Sequence, residues 1–234
     1  MLGQAQELAE RLEHTIRRSL PCEPLVRAQQ HAKTARIRIA PVDLGDPVRE
    51  AQVPLFGDGS RLANWSFVMF AEGSVDGFLK VDQLRISMTP AFEDNPVVRL
   101  EYENRAGKPP ASHWQFHAER GSLSFILART RRSAKQADVP MSLSRLHFPT
   151  GGRRFRPGVE DFIQFLIQEC GFDALSGWRG AVEDGRELNR RFQVRTVARD
   201  YPAKVAEVLK SRGWTLQPPD DFDGYEATAA LREY

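Results

Sequence analysis

Four consecutive strand-like runs, with room only for short turns between them, limit the folds open to this chain. Within residues 98–103 apolar and charged side chains alternate strictly, so Val98, Leu100 and Tyr102 share one face of a strand. Successive strands joined by short turns pair antiparallel, and such alternation is typical of a sheet with one face in water. The four runs are residues 65–71, 78–88, 97–103 and 113–119.

Helical patterns flank these runs. Residues 4–20 carry apolar residues at helical spacing and predict an N-terminal amphipathic helix. A short strand is predicted at residues 36–39. Residues 41–63 are rich in Pro, Gly and Asp and are predicted to be a long connection.

Three helices are predicted after the sheet. The first begins at Pro157, and its buried face consists of Val159, Phe162, Ile163, Leu166 and Ile167. The second spans residues 178–199, and its acids precede its bases, an order that complements the helix dipole. Those residues are Glu183 and Asp184, then Arg190, Arg191, Arg195 and Arg199. The third spans residues 202–212 and directs Val205, Val208 and Leu209 inward.

The element order predicts an α+β protein. It has an N-terminal helix, a four- to five-stranded antiparallel meander sheet and a C-terminal helical layer. Residues 1–172 are predicted to form the sheet domain with its N-terminal helix, and residues 173–234 a helical extension packed on it.

Positive charge is concentrated in residues 105–156, hereafter the basic segment. It holds eleven lysines and arginines against two acidic residues, a net +9 in a chain whose total is +2. Such asymmetry creates a local field, which predicts an anionic partner. The alternative is that the basic segment packs against the acidic remainder of the chain.

The basic segment contains a candidate anion site. Residues 150–154 read Thr-Gly-Gly-Arg-Arg before a helix, and free backbone amides beside two arginines suit a phosphate or carboxylate. An ordinary turn with solvated arginines fits this stretch equally well. Residues 129–142 are predicted to be a mobile basic loop. The predicted anion-binding residues are Arg131, Arg132, His147, Gly151, Gly152, Arg153, Arg154 and Arg156.

Two histidines on the fourth run are candidates for acid–base chemistry. His113 and His117 share a strand face, and a hairpin with the third run brings Glu101 and Glu103 beside them. A carboxylate next to an imidazole can start proton transfer, but it is also a common way to satisfy a surface histidine. The two histidines lie roughly 13 Å apart at the usual strand rise, so no metal site is predicted.

The element order resembles that of the ubiquitin-conjugating-enzyme and RWD fold. Residues 104–110 read Asn-Arg-Ala-Gly-Lys-Pro-Pro after the third strand, similar to the Pro-Pro turn of that family. Residues 155–157, Phe-Arg-Pro, look like the family's Trp-Ser-Pro helix entry. However, the chain has no His-Pro-Asn and no cysteine between Cys22 and Cys170. The resemblance therefore implies the fold without thioester chemistry.

These observations predict a non-catalytic binding or scaffold protein whose basic surface contacts an acidic protein or a nucleic acid. The alternative is an enzyme for a phosphorylated substrate, with His113, His117, His147 and the loop 151–154 in one cleft. No cofactor motif is recognised. The sequence shows neither a long apolar run nor a secretory leader pattern, so a cytoplasmic location without membrane association is expected.

Overall fold

A computed structural model describes residues 1–31, 34–46, 50–74, 77–104, 110–117, 148–150, 156–228 and 231. Helix α1 is Leu2–Ser19. The strands are β1 Leu25–Gln30, β2 Ile37–Val42, β3 Val53–Gly57, β4 Ser60–Gly73, β5 Leu79–Pro90, β6 Val98–Glu103, β7 Ser112–Phe116 and β8 Phe148–Pro149. Helix α2 is Val159–Gln164 and continues as a π-helical stretch, Phe165–Glu169; α3 is Trp178–Asp200 and α4 is Pro202–Ser211.

One antiparallel sheet contains all eight described strands. Its order is β1-β2-β4-β5-β6-β7-β8, and β3 also pairs with β4. Strands β2 and β3 pair with different parts of the long strand β4 on one side. On the other side, β5 pairs with residues 63–73 of β4. This order places the predicted meander β4 to β7 in the middle of the sheet.

The core lies between one face of the sheet and helices α1 and α2. Strand β6 alternates buried and half-buried residues along its length, as predicted. Small residues on α1, Ala5 and Ala9, are fully buried and let that helix lie close to the strands. Phe162 of α2 stacks between Trp65 and Trp114, with ring centroids 6.0 Å and 5.5 Å apart. Burial of such aromatic surface is the main stabilising contribution of this layer.

The predicted α+β class is confirmed, with its N-terminal helix, antiparallel sheet and C-terminal helices. The sheet is larger than predicted, because it also contains β1, β3 and β8, and residues 41–63 are not only a connection. They contain the end of β2, strand β3 and the start of β4. Pro54 sits in β3 opposite Asn64, a place where an edge strand tolerates proline.

The last two helices pack far less than α1 and α2. In α3 the buried residues, Ala181 and Val182, lie in the first two turns, and α4 has no buried residue. Val208 was predicted to point inward, but it is 50% exposed. The apolar face predicted for α4 is therefore only partly covered by the other described elements. Within the described residues, no helix combines the length and apolar composition needed to cross a membrane.

Candidate functional site

The structure describes one of the eight predicted anion-binding residues, Arg156. The loop 129–142 and the other seven lie outside the described residues: Arg131, Arg132, His147, Gly151, Gly152, Arg153 and Arg154. The predicted convergence of His147 and the loop 151–154 with the histidines of β7 therefore stays a prediction.

Arg156 is half-buried and packs between β6 and the start of α2. Its guanidinium carbon stands 4.6 Å from the centre of the Tyr102 ring, a cation–π contact between β6 and the start of α2. Burial lowers the pKa of this guanidinium, while Tyr102 and Glu160 act in the opposite direction. The carbonyl of Arg156 accepts a hydrogen bond from Gln193 Nε2 at 3.0 Å, so the end of the basic segment lies against α3.

The predicted pairing of a carboxylate with a histidine is present at Glu101 and His113, which are opposite each other in the β6–β7 ladder. His113 Nε2 is 3.5 Å from the Glu101 carboxylate, and its Nδ1 is 2.9 Å from the carbonyl oxygen of Pro110. The hydrogen bond from His113 lowers the pKa of Glu101, although partial burial acts against this. Since His113 is only 3% exposed, this pair is a buried contact between neighbouring strands.

The other two candidates on this hairpin have different partners. Glu103 Oε1 accepts a hydrogen bond from Gln83 Nε2 at 2.8 Å, across the β5–β6 pair. His117 follows the end of β7, where its backbone amide donates to the Val97 carbonyl at 2.8 Å. Among the described residues there is no group of three His, Cys, Asp or Glu side chains that could hold a metal ion.

A basic surface that the sequence patterns did not single out lies on the second half of α3. Residues 188–199 include four arginines and no acidic residue. Six exposed residues of this stretch form what we call the α3 arginine surface: Leu188, Arg190, Arg191, Phe192, Val194 and Arg195. Among the described residues, no carboxylate lies within 4.0 Å of Arg190 or Arg195, so their charges are not neutralised by an ion pair.

The α3 arginine surface combines an apolar and a basic stripe. Leu188 and Phe192 are one helical turn apart, and so are Arg191 and Arg195, which places the two pairs side by side. Arg191 forms an ion pair with Glu187 that is open to solvent. Phe192 is 46% exposed and lies beside the exposed Leu188.

The first half of α3 is fixed by a polar junction with α1 and α2. Asp161 of α2 accepts from the backbone amide of Gly158 at 2.8 Å and from Arg186 Nε at 2.7 Å. Glu160, 5% exposed, points into the same junction. Burial raises its pKa to about 7, and Asp161 adds to the rise while Arg186 and Arg156 oppose it.

Comparison of the chain with protein-family models, curated proteins and solved structures gave no match. The resemblance to the ubiquitin-conjugating-enzyme and RWD fold therefore stays a prediction.

Proposed function

We propose that this protein is a binding protein and that the α3 arginine surface takes an acidic segment of a partner protein. The observation that carries the proposal is the charge of two exposed arginines on the second half of α3 that form no ion pair with a described residue. Arg190 and Arg195 contribute to no described ion pair, and their helix contributes no buried residue beyond Val182.

The chemistry of this surface favours carboxylates. The arginine guanidinium is weakly hydrated and binds a carboxylate through two parallel hydrogen bonds. Several arginines without neighbouring acids also raise the local positive potential, which speeds the encounter with an acidic partner. Glu187, one turn before Arg191, offsets part of this charge through its ion pair.

The apolar stripe favours a protein partner over a nucleic acid. Leu188 and Phe192 offer a hydrophobic contact beside Arg191 and Arg195. An acidic peptide with an apolar or aromatic residue among its carboxylates would cover both stripes. A nucleic-acid backbone would satisfy the arginines and leave the apolar stripe uncovered.

The basic segment supports the same class of partner. The hydrogen bond from Gln193 to the Arg156 carbonyl joins the end of that segment to the middle of residues 188–199. We propose that the basic segment, which includes Arg131, Arg132, Arg153 and Arg154, contributes to binding the same acidic partner. The enzyme alternative is less well supported, because His113 is buried against Glu101 and Pro110.

The test is a binding titration at low and high salt with three labelled probes. They are a peptide that alternates aspartate with phenylalanine, a polyglutamate of equal charge, and a single-stranded DNA of equal charge. We expect the aspartate–phenylalanine peptide to bind most tightly and to weaken as salt screens the charges. Tighter binding of DNA would overturn the assignment to a protein partner, and the absence of salt-sensitive binding to any probe would overturn the proposal itself.

Matched variants locate the binding on the chain. Arg195→Glu should weaken the peptide by roughly tenfold or more, because it replaces an attraction by a repulsion. Arg18→Glu makes the same charge change at an exposed position of α1 and should have little effect on peptide binding. Phe192→Ser should reduce the preference for the peptide over polyglutamate. Equal effects of Arg195→Glu and Arg18→Glu would place the binding elsewhere.

A further inference from the structure

Exposed apolar side chains are concentrated in the C-terminal part of the described sequence. Of the fifteen large hydrophobic residues that are exposed among the described residues, nine lie within residues 175–231. Isolated apolar residues are normal on protein surfaces, whereas adjacent ones such as Leu188 and Phe192, rimmed by polar residues, are typical of contact surfaces. The occupant of that surface must be compatible with the arginines of α3.

The chain itself contains a segment of matching chemistry. Residues 218–226, hereafter the acidic segment, carry four acidic residues, no basic residue and two aromatics between the acids. Asp220, Asp221, Phe222, Asp223 and Tyr225 are all exposed. No described cation lies within 4.0 Å of the Asp220 or Asp221 carboxylate.

Hydrogen bonds before and after the acidic segment hold it in place as an exposed loop. Before it, the backbone amide of Trp214 donates to the Leu209 carbonyl at 3.1 Å. After it, the amide of Ala227 donates to the Asp200 carbonyl at 3.0 Å, and Tyr201 donates to the Ala227 carbonyl at 3.2 Å. These contacts fix the loop at the junction of α3 and α4, where Asp220, Asp221 and Asp223 are exposed and Glu226 accepts a hydrogen bond from the Lys204 amide at 3.2 Å.

The spacing of the two surfaces agrees. Arg191 and Arg195 are four helical residues apart, a separation of about 6 Å along the axis. Asp221 and Asp223 are two residues apart, a separation of about 6–7 Å in an extended chain. Phe222, between these two aspartates in the sequence, is also exposed.

We propose that the acidic segment of one copy docks on the α3 arginine surface of a second copy. The inference rests on the proposed function, since it names the acidic partner of that same surface. Each copy carries both surfaces, so a two-fold arrangement satisfies both contacts at once and closes the assembly as a dimer.

The experiment measures molecular mass by sedimentation at several protein concentrations and at low and high salt. The unmodified chain should dimerise at low salt and dissociate as salt rises. Arg195→Glu and Asp221→Arg should each shift the mass to that of a monomer, because each replaces an attraction between the two contacting surfaces by a local repulsion. Arg18→Glu should leave the dimer intact.

Mixing the two monomeric variants provides the decisive result. The Arg195→Glu variant keeps an intact acidic segment, which can bind the intact arginines of the Asp221→Arg variant. In the second contact the two substituted residues face each other with opposite charges and also attract. A one-to-one complex should therefore form in the mixture. A mixture that stays monomeric, or an unmodified chain that is monomeric at every concentration, would overturn the inference.

The two proposals fail separately. A monomeric chain that still binds the aspartate–phenylalanine peptide through Arg195 would refute the second copy and leave the proposed function standing. A chain with neither dimer nor salt-sensitive peptide binding would refute both.

Discussion

The two halves of helix α3 contain the same residue types in different roles. In the first half, Arg186 binds Asp161 of α2, and Ala181 and Val182 are buried against the body of the fold. In the second half, Arg190 and Arg195 are exposed and have no described carboxylate partner. The difference shows that the packing of the helix, and not its composition, separates structural arginines from those available to a partner.

The largest difference in the free energy of unfolding is expected between a variant of a core aromatic residue and a variant of an aromatic residue on the α3 arginine surface. Phe162→Ala should cost about 3–5 kcal/mol of the free energy of unfolding, because it opens a cavity between Trp65 and Trp114. Phe192→Ala should cost at most about 0.5 kcal/mol, because that ring is half in solvent.

Chemical denaturation of the two variants checks this comparison. Equal losses would mean that the second half of α3 belongs to the cooperative core. A loss below about 1 kcal/mol for Phe162→Ala would mean that α2 is peripheral.

The buried Glu160 should make the stability of the fold depend on pH between 4.5 and about 7. Its folded pKa is about 7, against an ordinary value of 4.5. Between these values the folded chain holds a proton that the unfolded chain releases, so the free energy of unfolding falls as pH rises from 4.5 to about 7. The full loss is on the order of 3 kcal/mol and stays constant above that range.

Glu160→Gln removes this ionisation. The variant should match the unmodified chain at acidic pH and exceed its stability above neutral pH, as measured by denaturation at a series of pH values. A Gln variant that is less stable above neutral pH would show that Arg156 and Arg186 stabilise the ionised carboxylate more than burial disfavours it.

Two glycines of α3 provide a smaller and equally direct test of how tightly its first half packs. A methyl group on Gly185 would stand 3.0 Å from both Glu160 Cγ and Thr15 Oγ1, whereas one on Gly180 would have no neighbour within 4 Å. Gly185→Ala should therefore cost about 1–2 kcal/mol through overpacking. Gly180→Ala should gain about 0.5–1 kcal/mol through helix propensity. Opposite signs in thermal melts would confirm the contrast, and a gain at both sites would contradict it.

The meander and the buried face of α2 could be predicted because each rests on a local pattern. Strict alternation in β6 and helical spacing from Val159 to Leu166 both survive in the fold. Strand β3 could not be predicted in this way, since Pro54 and the nearby glycines favour a loop until pairing with β4 is known. Its pairing partner lies after a tight turn, and only tertiary contacts decide between strand and loop there.

The candidate site was predictable only in part. The opposition of Glu101 and His113 follows from the hairpin, but the burial of His113 depends on packing that no local pattern shows. The arginines of α3 were explained by the helix dipole, which accounts for their position in the helix and not for their exposure. The missed signal was a stretch of twelve residues, 188–199, with four arginines, no acid and an apolar pair one turn apart.

The most direct test of the account measures stability and binding on one double variant, Arg190→Glu with Arg195→Glu. Both side chains are exposed and without a described carboxylate partner, so their reversal should leave the melting temperature unchanged. The same sample should lose its salt-sensitive binding of the aspartate–phenylalanine peptide. A melting temperature lowered by several degrees, with peptide binding unchanged, would show that these arginines stabilise the chain's own fold and would contradict the account.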